Sequence, residues 1–143
     1  MKIALISCVS KKNPLAATTP VAAKDFYVSP LFVNAWKYAE QCVRPDRIYI
    51  LSAKHGLVAP DTPLMTYNMT LNDANATQRR QWADMVVNQL RKEGVNLDKD
   101  EIVFLAGDAY RKDLMPQCKH ASTPYEGLHG IGHILHFLKS NVK

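Results

Sequence analysis

The chain has 143 residues, 47% of them hydrophobic and 22% charged, and carries a net charge of +5 from 18 Lys and Arg against 13 Asp and Glu. Such usage fits one globular domain over residues 1–143 and excludes a disordered tail or a coiled coil. The longest apolar run, Ile3 to Val9, is far too short to span a bilayer and no small-residue cleavage site follows it, so a cytoplasmic protein without a membrane partner is expected.

Lys2 to Val9 is continuous, apolar and without helical period, which predicts a buried strand of a parallel sheet. Ser10-Lys11-Lys12-Asn13-Pro14 then has loop chemistry. Residues 14–29 are ambiguous, with a short helix possible over Ala22–Tyr27. Ser29-Pro30 is a helix start, and Leu31, Phe32, Ala35, Trp36 and Ala39 recur at helical spacing until Val43, before Pro45. Arg47–Ser52 reads as the second buried strand. The stretch from Val58 to Asn75 is long for a structureless loop, which marks it as functional. A helix is expected over Thr77–Glu93, with Trp82, Met85, Val86, Gln89 and Leu90 on one face and Gly94 closing it. Glu101–Ala106 is the third buried strand, followed by a short helix reaching about Cys118. Ala121–Gly130 reads as a loop with room for a short strand before Pro124. A last helix over Gly130–Asn141 places Ile131, Ile134, Leu135 and Leu138 on one face. The alternation predicts an α/β fold, a layered sandwich with a mostly parallel central sheet flanked by helices.

All three apolar strands stop at a polar cluster: Ser7 with Lys11, Lys12 and Asn13; Ser52 with Lys54 and His55; Asp108 with Tyr110 and Arg111. In an open parallel sheet, ligands bind outside the carboxyl ends of the strands, so the three clusters converge on one rim. The ordinary polarity of loops is the competing explanation. Lys11 and Lys12 suit an anion held by a backbone nest, or are two exposed lysines. No G-x-x-x-x-G-K sequence is present, which argues against nucleoside-triphosphate hydrolysis. His55, next to Lys54, is expected to be held neutral, able to donate to an oxyanion or act as a base; an exposed turn histidine is the alternative. Asp108 is either a carboxylate facing a sugar or water, or a side-chain cap on the following helix. Tyr110 and Arg111 suit a planar, anionic ligand. Tyr67 offers a stacking platform and Asn68 a donor–acceptor pair for a base edge. Glycines beside His129 at the start of the last helix suit an anion or close packing. His129, His133 and His136 have metal-compatible spacing but no accompanying carboxylate or cysteine. Cys8, Cys42 and Cys118 form no C-x-x-C pair, which argues for reduced thiols; Cys8 reads as a core residue, with a thiolate activated by Lys11 and Lys12 as the alternative.

The motifs S-C-V-S-K-K (7–12), D-F-Y-V-S-P-L-F (25–32), L-S-A-K-H-G-L-V (51–58), Y-N-M-T-L-N-D (67–73), G-D-A-Y-R (107–111) and G-L-H-G-I-G-H (127–133) together resemble a family of small bacterial and phage proteins of unknown function. The terminal motif departs from the family pattern at His129 and His133. That family is similar, more distantly, to the peroxide-stress protein family and to the glycosylase-like module of archaeal tRNA-guanine transglycosylases. The resemblance implies a uracil-DNA-glycosylase-like α/β fold and a role around modified bases.

Three functions follow as expectations. The first is an N-glycosidase acting on modified bases in nucleotides or nucleic acid. Asp108 and His55 would be catalytic, Tyr67, Asn68 and Tyr110 would hold the base, and Lys11, Lys54 and Arg111 would hold phosphate. Ser7 and Ser52 should then line the same pocket, and no cofactor is expected. The second is a non-catalytic nucleotide- or nucleic-acid-binding module using the same rim. The third is a metal-dependent hydrolase built on His129, His133 and a carboxylate.

Overall fold

The computed structural model describes residues 1–7 and 12–143. Its centre is a five-stranded sheet in the order β4-β3-β1-β6-β7, formed by β1 (Lys2–Ser7), β3 (Arg47–Ser52), β4 (Gly56–Val58), β6 (Glu101–Leu105) and β7 (His120–Ser122). β1 pairs in parallel with both β3 and β6, and β6 pairs in parallel with β7. The sheet is therefore mostly parallel, as the apolar strands require, since parallel strands are covered on both faces. β4 turns back antiparallel on β3, with Ser52 opposite Gly56, so part of the expected polar loop after β3 is an edge strand. A two-stranded ribbon joins β2 (Val21–Ala22) to β5 (Pro63–Leu64) and pins the long segment after β4 across the molecule.

The helices sort by face. One face of the sheet, carrying Ile3, Leu5, Leu51, Ile102 and Phe104, packs on α3 (Ala76–Lys92) and α4 (Asp108–Arg111). The other, carrying Ala4, Ile6, Ile50 and Leu105, packs on α1 (Ala23–Phe26), α2 (Pro30–Tyr38) and α5 (Ile131–Asn141). The alternation of side chains along each strand produces this division. Leu90 and Ile102 are fully buried, and each such side chain contributes about 1.5–3 kcal/mol.

Local signals set the helix ends. Ser29 Oγ accepts from Phe32 N at 3.3 Å, with Pro30 in the first turn. Asn75 and Gln78 form a reciprocal capping box at the start of α3. After Tyr38 the α2 helix widens into a π turn over Ala39–Val43, closed by Arg44 in the left-handed region at φ 52°. The expected helix to Val43 is therefore α-helical only to Tyr38.

Two expected core positions fall outside: Met85 and Ile131 are exposed, and Ala83, Val87 and Phe137 pack in the cores of their helices' faces instead. Among the described residues no helix is long and apolar enough to cross a membrane.

Candidate functional site

The chain leaves β1 toward β3 and later returns past β1 to form β6, so the direction of strand addition reverses between β1 and β6. A crevice outside the carboxyl ends of the strands at such a reversal is where open α/β sheets bind ligands. Ser7, Ser52 and the Gly107-Asp108 pair all stand on that edge. Lys11 and Ser10 lie outside the described residues.

The β3 side of the rim is built around Ser52, which is fully buried. Its Oγ accepts from His55 N at 3.1 Å and shares a hydrogen bond with Tyr67 Oη at 2.9 Å. Its carbonyl accepts from Trp82 Nε1 at 2.9 Å. Tyr67 Oη also meets Tyr27 Oη at 2.6 Å, so three hydroxyls run in a chain from Tyr27 to Ser52. The Tyr67 ring stacks on Phe26, with centroids 5.8 Å apart, and meets the His55 ring edge-on at 5.5 Å. Lys12 Nζ sits 4.7 Å and Lys54 Nζ 5.8 Å from the Tyr67 centroid. Tyr67 thus gathers two ammonium groups and an imidazole at one place. Its ring is engaged by Phe26 and the cations, so it organises charge where the sequence suggested a bare stacking platform.

Gln89 on α3 clamps the turn that carries His55. Its Nε2 donates to His55 O at 3.0 Å and its Oε1 accepts from Leu57 N at 2.8 Å. Gly56, at φ 74°, lies directly under that amide, where a Cβ would collide with Gln89 Oε1 and Met85 Cε. Burial, and then the neighbouring Lys54 ammonium, push the His55 pKa below its ordinary value and favour the neutral ring.

The β6 side is different. Gly107, not Asp108, occupies the N-cap of α4, and no side chain caps it. The Asp108 carboxylate faces solvent at 95% side-chain exposure and accepts from Arg111 Nη2. Arg111 is held tightly, with its side chain 17% exposed and its Nε buried without a hydrogen-bond partner among the described residues. Tyr110 is a correction to the expected ligand clamp: it is buried, its ring edge-on to Trp82 at 5.5 Å, because the inward face of α4 carries it into the core. Asp108 and Arg111 open onto a groove of about 700 Å³ that runs toward Lys119 and Ala121. A second opening, of about 520 Å³ between Trp36, Arg44, Arg47 and Pro60, reaches the amino end of β3, opposite the rim.

The remaining expected residues take other places. Asn13 caps the turn Pro14–Ala17 through Leu15 N at 3.0 Å and donates to Asp25 O at 3.3 Å, which is a latch between segments. Asn68 is exposed on the loop after Tyr67. His133 Nδ1 accepts from His129 N at 3.4 Å at the start of α5. Among the described residues no three His, Cys, Asp or Glu side chains gather as a metal-ion ligand set. Cys118 is buried, and burial pushes its thiol up to about 11, which favours the protonated form.

Sequence reasoning missed Tyr27, Trp82 and Gln89 as supports of the site. A lone amide at Gln89 on the inward side of an amphipathic helix was the available signal, since a polar group there needs a partner.

Residues 3–140 match the family of unknown function DUF6884. The chain belongs to that family. It is 32% identical over 149 aligned positions to the uncharacterized protein YfjM of Bacillus subtilis strain 168, covering 99% of this chain and 95% of that protein.

Proposed function

We propose that the carboxyl-edge rim binds a phosphate-bearing nucleotide or nucleic acid. The observation that carries this reading is the pair of ammonium groups, Lys12 and Lys54, assembled on Tyr67 beside a neutral His55. Two cations held at one place by a ring fixed at its hydroxyl suit a phosphate. The net charge of +5 adds a weak general attraction for anions. Binding of fluorescein-labelled nucleotides and oligonucleotides, followed by anisotropy, tests it. A Lys12→Ala/Lys54→Ala double variant should bind at least tenfold more weakly while folding normally. Unchanged affinity in that variant refutes the reading.

A second reading adds catalysis: cleavage of an N-glycosidic bond. It is favoured by Asp108 on the same edge of the sheet as His55, two strand spacings or about 10 Å away. Water would add to the anomeric carbon as the C–N bond breaks, with its proton passing to the departing base; Asp108 would stabilise the oxocarbenium-like sugar and His55 would donate a hydrogen bond to that base. A duplex substrate would present its base by flipping it out. The resemblance to the peroxide-stress family and to the glycosylase-like module of tRNA-guanine transglycosylases, with their uracil-DNA-glycosylase-like character, supports this reading by analogy only. It stands second because Asp108 is solvent-exposed and tied to Arg111, away from a dry pocket. Base release read by mass spectrometry decides it: release abolished by both Asp108→Asn and His55→Ala supports catalysis, and no release from normal or modified substrates rejects it.

A further inference from the structure

We propose that the groove beside α4 is a second anion site and that, together with the Tyr67 end of the rim, it holds a single unpaired strand of nucleic acid; this rests on the phosphate reading of the rim. The groove carries Arg111 and Lys112 beside one carboxylate, Asp108, and runs down to Lys119 at the amino end of β6, where His120 pairs with Glu101. Arg111 is a fixed cation: Asp108 holds one nitrogen, and Nε is buried with no partner among the described residues. Lys112 and Lys119 are exposed and free to close on a ligand. Met115, Cys118 and Ala121 give the groove an apolar floor, and the neutral thiol of Cys118 keeps it so.

The spacing selects the class of ligand. The Tyr67 cluster stands at the end of β3 and the groove opens at the end of β6, with β1 between them. Two strand spacings are about 10 Å. A stacked strand carries one phosphate per ~3.4 Å, so about three phosphates separate the Tyr67 cluster from the Arg111 end of the groove, and Lys119 lies farther along, at the amino end of β6. A mononucleotide reaches one cluster; a short strand reaches both. From Asp108 the groove descends toward Lys119, which immediately precedes β7, so the path continues past the rim. An apolar floor between cations suits unpaired bases, whose faces need covering, better than a duplex, whose faces are already stacked.

Thymidylate oligomers of two, four and eight nucleotides, labelled with fluorescein, test this in the wild-type chain and in a Lys112→Ala/Lys119→Ala variant. Both substituted side chains are exposed, so the fold is retained. The wild type should bind the octamer at least tenfold more tightly than the dimer. The variant should match the wild type on the dimer, lose about tenfold on the octamer, and show a log–log salt slope smaller by about 1.4, or 0.7 for each lost cation contact. An octamer bound equally by both proteins, or an affinity independent of length, overturns the groove and leaves the rim standing. No binding of any oligomer by the wild type overturns both. A poly-glutamate peptide bound more tightly than the octamer, and lost in the same variant, overturns the nucleic acid in favour of an acidic protein partner.

Discussion

The two sides of the rim are built on opposite plans. On the β3 side, Ser52, Tyr67, Tyr27, Trp82 and Gln89 form a connected hydrogen-bonded frame, and the cations rest on it. On the β6 side, a four-residue helix presents an exposed carboxylate and one fixed arginine over an open groove. The first side ties ligand chemistry to fold stability; the second leaves it almost free of the fold. Substitutions should therefore separate cleanly, with stability lost on one side and binding alone altered on the other.

The largest expected effect is at Gly56. Gly56→Ala forces an L side chain into the left-handed region, at about 1–2 kcal/mol, and displaces the Gln89 amide, at about 1 kcal/mol more. A stability loss of about 2–3 kcal/mol in urea unfolding is expected, with weaker ligand binding from a displaced His55. Tyr67→Phe is next. It removes hydrogen bonds to Ser52 and Tyr27 but keeps the ring, so stability should fall by about 1–2 kcal/mol while the two lysines stay in place. Loss of binding equal to that of the double lysine variant would show that the hydroxyl, and not the ring, organises the cations.

How much of this was legible in the sequence depends on the range of the signal. Continuous apolar runs placed β1, β3 and β6 within two residues at each described end, and the Ser29 cap placed the start of α2. The return of β4 was hidden, because a three-residue strand that starts on a glycine carries no periodicity of its own. The rim was legible because polar residues follow each apolar run. Which of those residues the fold buries was not. Tyr110 reads as a clamp in sequence, but the inward side of α4 buries it on Trp82. Asn13 reads as a loop amide, but caps a turn. Tyr27 sits forty residues from the Tyr67 it bonds, and only the fold joins them.

Two smaller effects sharpen the contrast. His55 has a pKa lowered from its ordinary 6.5 by burial and by Lys54. The unfolded chain therefore takes up the proton more readily, so this group's contribution is present above pH 6.5 and is lost as pH falls through and below it. The urea midpoint of the wild type should drop between pH 7 and 5 more than that of His55→Gln; parallel profiles would place the pH dependence elsewhere. Asp108→Asn breaks only an exposed ion pair and should change stability by less than about 0.5 kcal/mol. Oligonucleotide binding should hold or tighten, since a repelling carboxylate is gone.

The most direct measurement is a titration of the isotopically labelled protein with a thymidylate octamer, followed by backbone amide resonances. Binding at the carboxyl edge predicts the largest shifts at Ser52–Leu57, Thr66–Asn68 and Gly107–Lys112. Shifts confined to Trp36, Glu40 and Arg44–Ile48, around the opening at the amino end of β3, would contradict the assignment of the rim as the ligand site.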